Sequence, residues 1–140
     1  MERHMKHAFL VLIGALVFLT DVRSQAQAPV QSAAKAAPQD LTPSQFNQLI
    51  ALGTHQVVDV RTPQEFNGGH IAGAINIDWT AANYEAAFSR IDASKPVLLY
   101  CHSGGRSEQA LEHLVGKGYR VQHLEGGITA WRKAGYVVVK

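Results

Sequence analysis

The sequence has one cysteine, Cys101, among 140 residues. Without a second thiol it can build no internal disulfide, no C-x-x-C redox pair and no cysteine-based zinc cluster, so neither a structural metal nor a redox dithiol is expected. Charge is sparse as well: 13 Lys and Arg against 11 Asp and Glu leave a formal net charge of +2. Neither sign gathers into a run that could track a phosphate backbone, so nucleic acid is not an expected partner. No internal repeat is visible, and a chain of this length holds one ordinary core rather than two full domains. No apolar run reaches the roughly 18 to 20 residues that cross a bilayer. The run from Ala8 to Leu19 instead follows Arg3 and Lys6 and precedes the small residues Ser24 and Ala26. That is the layout of a secretory signal peptide over residues 1–26, which predicts cleavage after Ala26, export to an oxidising space such as a bacterial periplasm, and no stable membrane anchor afterwards. A lone thiol is a liability in such a compartment, so its presence there needs a reason.

Residues 27–39 (QAPVQSAAKAAPQ) have too few large apolar side chains to order themselves and read as a flexible linker. From Asp40 to Lys140 the pattern alternates between strands and helices. Thr42 as an N-cap and Pro43 in the first turn open a helix that runs to about Leu52, and Gly53 stops it. Short apolar runs at 56–60, 74–77, 97–100 and 119–124 read as four strands. Helical spacing predicts further helices over 81–91, with Tyr84, Ala87, Phe88 and Ile91 inward, and over 107–115, plus a turn of helix at 63–66 and a last helix marked by Ile128, Trp131 and Ala134. Strands that alternate with helices predict an α/β domain of three layers, a parallel sheet with helices on both faces.

The stretch that carries chemistry is Tyr100 to Ser107 (YCHSGGRS), where a buried strand ends at Cys101, turns, and starts a helix at about Ser107. In an open parallel sheet the ground beyond the carboxyl ends of the strands is where ligands bind. Gly104 and Gly105 permit a tight turn that aims amide N–H groups at one point, and the helix N-terminus adds its positive end. Arg106 brings a cation, and Ser103 and Ser107 bring hydroxyls, so the thiolate of Cys101 is favoured over the thiol. The plain alternative is a glycine-rich turn around an inert buried cysteine. The coincidence of cysteine, paired glycines, arginine and serine at one place favours a reactive thiolate in an oxyanion-lined cup. Such a cup suits either sulfur transfer through a persulfide or phosphate and arsenate chemistry through a cysteinyl intermediate.

Asp59 to Ile77 (DVRTPQEFNGGHIAGAINI), Cys101 to Ser107 (CHSGGRS) and Leu124 to Gly135 (LEGGITAWRKAG) together resemble the three signature segments of single-domain rhodanese-like sulfurtransferases of the exported, periplasmic type. The likeness spans residues 40–140. It implies a five-stranded parallel sheet flanked by helices and a Cys101 that takes sulfane sulfur from thiosulfate as a persulfide and passes it to cyanide or a thiol. It also implies a substrate-binding loop of His102, Ser103, Gly104, Gly105, Arg106 and Ser107, with Arg106 on the anionic donor. No cofactor and no metal are implied. Related phosphatases and arsenate reductases carry arginine six positions after the cysteine; here Arg106 is five on and Ser107 takes the sixth, a shorter loop that disfavours a tetrahedral phosphate. Relatives that use mercaptopyruvate have an uncharged loop, whereas His102 and Arg106 suit a doubly charged donor. Many members have arginine where this chain has His102, so donor binding should lean on Arg106 and strengthen as pH falls and the imidazole gains charge. With no second domain or thiol to unload the sulfur, an external acceptor is required. The competing expectation is a persulfide carrier that delivers sulfur to one partner protein with little small-molecule turnover. A monomer is expected in either case.

Other residues read more plainly. Asp59 and Arg61 are expected to form an internal ion pair tying a strand end to the segment around His70, and His70 to be a hydrogen-bonded structural imidazole. Trp131 is expected in the core, Trp79 to pack under the helix that follows it, and the apolar tail Val137 to Val139 to lie along the sheet edge. His55, His113 and His123 have no evident companions in the sequence.

Overall fold

A computed structural model describes residues 40–140; the expected signal peptide and linker lie outside the described residues. The order of elements is β1 (Asp40–Leu41), α1 (Pro43–Ala51), β2 (Gln56–Asp59), α2 (Pro63–Asn67), β3 (Ile75–Asn76), α3 (Tyr84–Phe88), β4 (Val97–Tyr100), α4 (Gly105–Gly116), β5 (Val121–Leu124) and α5 (Gly127–Lys133). The five strands form one parallel sheet in the order β1-β5-β4-β2-β3. The fifth strand, which periodicity alone did not mark, is the two-residue β1 that pairs Asp40 with His123 and Leu41 with Leu124. Two residues are too few to show a period of two.

Both proline-opened helices carry reciprocal caps. The Thr42 hydroxyl accepts from the Gln45 amide and the Gln45 side chain accepts from the Thr42 amide, and Thr62 and Glu65 do the same for α2. The helix expected over 81–91 is confined to α3, because Asn83 caps it without a side-chain bond and Ser89 already lies beyond its end. Tyr84, Ala87, Phe88 and Ile91 nonetheless face the core.

Alternation along the strands divides the core between the two faces. Val97, Leu99 and Cys101 point toward a cluster with Phe88 of α3 and Ala110, Leu111 and Leu114 of α4. Leu98 and Tyr100 point the other way, toward Phe46 of α1 and Ile128 and Trp131 of α5. On that second face the Phe46 ring meets Tyr100 and Trp131 edge-on at centroid distances of 6.4 and 6.1 Å, and burial of each such ring stabilises by about 1.5–3 kcal/mol. Trp131 is thus a core anchor.

The tail differs from expectation. Val139 pairs antiparallel with His70, outside the strands, and Val137 is exposed while Val138 packs on the second cluster. The tail therefore closes over the loop that leads into β3 and not along a strand of the sheet. Among the described residues no helix is long and apolar enough to cross a membrane.

Candidate active site

The connection that leaves β2 runs through α2 to one side of the sheet, and the connection that leaves β4 runs through α4 to the other. Diverging connections open a crevice beyond the carboxyl ends of these neighbouring strands. Cys101 stands there, the residue after β4, with 1% of its surface exposed. The period of two that buries Val97 and Leu99 turns its sulfur toward α4.

Three observations define the cup. Gly104 has φ +113°, a value that glycine adopts readily, and its amide donates to Cys101 Sγ at 3.0 Å. This turn lets α4 begin at Gly105, two residues earlier than the sequence suggested, so Ser107 sits inside the first turn. From there the Ser107 hydroxyl lies 3.6 Å from Sγ and 2.9 Å from the carbonyl of Gly104. Burial is the largest influence on the thiol and pushes it up, but the hydroxyl and amide of Ser107 and the amides of Gly104 and Ser103 together outweigh it, so Cys101 ionises below the ordinary thiol range.

The other loop residues have distinct places. The side chain of His102 is exposed, while its carbonyl accepts from the hydroxyl of Thr129 at 2.9 Å and from its amide at 3.2 Å. Ser103 and Gly105 are exposed, and Ser107 is fully buried. Arg106 is not a free cation turned to an incoming anion. Its guanidinium forks onto Glu65 of α2 with two bonds of 2.8 Å, so the pair bridges the crevice between α2 and α4. A carboxylate thus offsets part of the charge that the family resemblance assigned to donor binding, although Arg106 still lies close enough for a Cys101 thiolate to raise its pKa, after the larger effect of Glu65. The negative charge at sulfur is met first by Ser107 and by amides.

The Arg106 bonds hold the Glu65 carboxyl at about 2, well below its ordinary 4.5, with Thr62 assisting. A depressed folded value gives stability that is complete above the unfolded value and lost as pH falls through the folded one. Between pH 4.5 and 2 the urea midpoint of the wild type should therefore fall, and Glu65→Gln should flatten that part of the curve. A wild-type slope unchanged in Glu65→Gln would show that other carboxylates produce it.

Asp59 and Arg61 are buried and pair at 2.6 Å, and Arg61 donates to the Gly69 carbonyl at 2.9 Å. This is the expected internal tie to the His70 segment. His70 bonds the Phe66 carbonyl through Nδ1 at 3.1 Å and stacks on the Phe66 ring, a structural imidazole. Trp79 packs on Tyr84 of the following helix, as expected, and its indole N–H donates to Gln109 of α4.

Sequence reasoning missed several supports of the cup. Glu65 gave no sign of its distant partner. Gly126 and Gly127 carry positive φ values of 70° and 58°, and they let the first turn of α5 approach the loop so closely that the Ile128 amide donates to the Cys101 carbonyl at 2.9 Å. The segment LEGGITAW thus braces the loop through its carbonyls. His123, which lacked companions in the sequence, contacts Ser107 through one ring nitrogen and Asp40 through the other. Among the described residues no group of three His, Cys, Asp or Glu could hold a metal ion.

The family profile described as Rhodanese-like domain matches residues 42–134. The chain is 38% identical over 96 residues to the thiosulfate sulfurtransferase GlpE of Pseudomonas aeruginosa, an alignment covering 67% of this chain and 84% of that protein. It is 33% identical over 114 residues to thiosulfate sulfurtransferase 16, chloroplastic, of Arabidopsis thaliana, covering 71% of this chain and 95% of that one. Among solved structures, a rhodanese-related protein from Thermoplasma volcanium superposes with a TM-score of 0.66 at 31% identity, over 72% of this chain and 97% of that chain.

Proposed function

The chain belongs to the rhodanese-like domain family, and from that premise we propose that it is a thiosulfate sulfurtransferase carrying sulfane sulfur on Cys101. The relatives named as thiosulfate sulfurtransferases support the reaction class. The observation that carries the reading is the buried sulfur with the Gly104 amide at 3.0 Å and the Ser107 hydroxyl beside it. These donors are positioned for negative charge on sulfur, the state both half-reactions need.

In the first half-reaction the Cys101 thiolate attacks the outer sulfur of thiosulfate. A new S–S bond forms, the bond between the two thiosulfate sulfurs breaks, and its electron pair leaves with sulfite. In the second, cyanide or a thiolate attacks the terminal sulfur of the persulfide, and the electron pair of that S–S bond returns to Cys101 Sγ. The same amides and hydroxyl receive the returning charge. No net oxidant or reductant is required with cyanide, because sulfite leaves in the first step and thiocyanate in the second.

The test is an intact mass before and after incubation with thiosulfate. The expected result is a gain of about 32 Da, the mass of one sulfur, that cyanide removes. No gain, with Cys101 still titratable by a thiol reagent, would reject thiosulfate as the donor. We also propose that the protein is exported, on the strength of the apolar run Ala8 to Leu19 and the small residues after it. N-terminal sequencing of protein from a periplasmic fraction should begin at Gln27; an intact Met1 there would overturn cleavage.

A further inference from the structure

His123 is 5% exposed, yet neither of its ring nitrogens lacks a polar partner. Nδ1 lies 3.1 Å from the Ser107 hydroxyl, and Nε2 lies 2.7 Å from the Asp40 carboxylate. The parallel register sets His123 opposite Asp40 on one side and opposite Leu99 on the other, so β1, β5 and β4 together bring an exposed carboxylate, a buried imidazole and the strand that leads into Cys101 into one row. The Ser107 hydroxyl closes the gap to the sulfur at 3.6 Å. A continuous chain of polar groups thus runs from Cys101 through Ser107 and His123 to Asp40, whose side chain is 70% exposed.

We propose that His123 is a positioning residue for the sulfur-transfer reaction: its protonation state decides where the single Ser107 proton points, and it accepts the proton that Cys101 loses. This deepens the sulfurtransferase reading and rests on it for its biological use, but the proton chemistry can be measured without any sulfur donor.

A hydroxyl has one hydrogen to donate, and here three acceptors surround it: Cys101 Sγ, the Gly104 carbonyl and His123 Nδ1. The Asp40 carboxylate can only accept, which places a hydrogen on Nε2. When His123 is neutral, Nδ1 is therefore bare and claims the Ser107 hydrogen, and the sulfur loses that donor. When His123 is an imidazolium, Nδ1–H donates to Ser107 Oγ, whose own hydrogen is then contested only by the Gly104 carbonyl and the sulfur, and the charged thiolate is the stronger acceptor of the two. The cation thus adds both a hydrogen bond and a nearby positive charge to the thiolate.

The transfer balances. The S–H bond of Cys101 breaks and an Oγ–H bond forms at Ser107, while the original Oγ–H bond breaks and an N–H bond forms at Nδ1. The electron pair stays on sulfur, and the net charge of the group is unchanged. Asp40 stabilises the resulting imidazolium and opens the far end of the chain to solvent, through which the proton can exchange.

Among the described residues the charges around His123 are few. Asp40 faces it from β1, and Cys101 at the end of β4 reaches it through Ser107 on α4. Beyond the thiol stands the Arg106–Glu65 pair. Helix α1 has no charged residue. On α4, Glu108 and Glu112 are exposed, and His113 turns to Glu85.

The experiment is the rate of Cys101 alkylation by iodoacetamide across pH, in the full mature chain, for the wild type, His123→Gln, Asp40→Asn, Ser107→Ala and the Ser107→Ala/His123→Gln double variant. Glutamine can bond to both neighbours but cannot hold the proton. The expected result is an alkylation rate at neutral pH lowered about tenfold in His123→Gln, with an unchanged plateau at alkaline pH, since a tenfold loss corresponds to a difference of about 1.4 kcal/mol between thiol and thiolate. Asp40→Asn, at an exposed position that does not threaten folding, should lower the neutral rate in the same direction by a smaller factor. Adding His123→Gln to Ser107→Ala should change the rate much less than His123→Gln does alone, because the hydroxyl relays most of the effect and only the weaker charge interaction through space remains. A wild-type profile in both His123→Gln and Asp40→Asn would overturn the proposal, as would effects of Ser107→Ala and His123→Gln that simply add. If alkylation responds as expected but thiosulfate adds no mass, the proton chain stands and thiosulfate falls as the donor.

Discussion

Cys101→Ser is expected to give a folded protein that gains no mass from thiosulfate and transfers sulfur at the background rate, a loss of at least about 10³-fold. Oxygen for sulfur is a small change of volume in a site that is 1% exposed, and the amide of Gly104 and the hydroxyl of Ser107 can bond to either atom, so the urea midpoint should stay close to that of the wild type. The chemistry does not survive. A serine hydroxyl remains protonated at neutral pH under donors that favour the ionised form of a thiol, and it offers no sulfur on which a persulfide can form. Because this chain has one cysteine, no other thiol can take over the load. A residual cyanide-reversible mass gain in Cys101→Ser would place the sulfur elsewhere and end the present reading.

Gly127→Ala is expected to damage stability and activity together. The backbone there has φ +58°, and an added Cβ would stand 2.5 Å from the Cys101 carbonyl oxygen and 2.6 Å from both the carbonyl carbon and oxygen of His102. All three are backbone atoms, so no rotamer change relieves the contact. A left-handed alanine costs about 1–2 kcal/mol, and forcing atoms into a packed site costs typically about 1–3 more. The melting temperature of a domain this size should fall by about 10 °C or more. To make room, α5 must move off the loop, which breaks the bonds from the Ile128 amide to the Cys101 carbonyl and from Thr129 to the His102 carbonyl. The cup should then lose its alignment, so the variant should load sulfur slowly even where it is folded. Gly116→Ala is the control. Its Cβ would meet nothing within 4 Å at the end of α4, and alanine is the better helix former. Equal midpoints for wild type and Gly127→Ala would show that the close approach of α5 to the loop is not required.

Much of the Cys101 loop was legible because its signals are local. A strand of four apolar residues followed by cysteine, a glycine pair, arginine and serine specifies a turn, a helix start and a cluster of donors within eleven positions of the chain. The cap at Thr42 was equally close to its partner. The weaker readings fell where a short-range pattern competes with a long-range one. Residues 81–91 have helical spacing because their apolar side chains must reach one face of the sheet, yet only five of them form α3. The Val137 to Val139 run looks like an edge strand, but its one ladder partner is His70.

Arg106 shows the same limit at the site itself. Its position in the loop was readable, but its electrostatic role depends on Glu65, which lies 41 residues away in sequence and 2.8 Å away in space. His123 and Asp40, separated by 83 residues, likewise meet only because β1 is laid beside β5. No spacing rule connects such residues, since the pairing of parallel strands is set by how helices pack across the whole sheet. The sequence by itself determined the α/β class, the thiol, and the glycine-rich turn that lines it with donors, because those rest on periodicity and on backbone conformations adopted within a few residues. Only the tertiary structure decided that Glu65 shares the charge of Arg106, that α5 braces the loop, and that a buried histidine connects the sulfur to solvent. Each of these is a contact between distant segments, and only the assembled sheet brings those segments together.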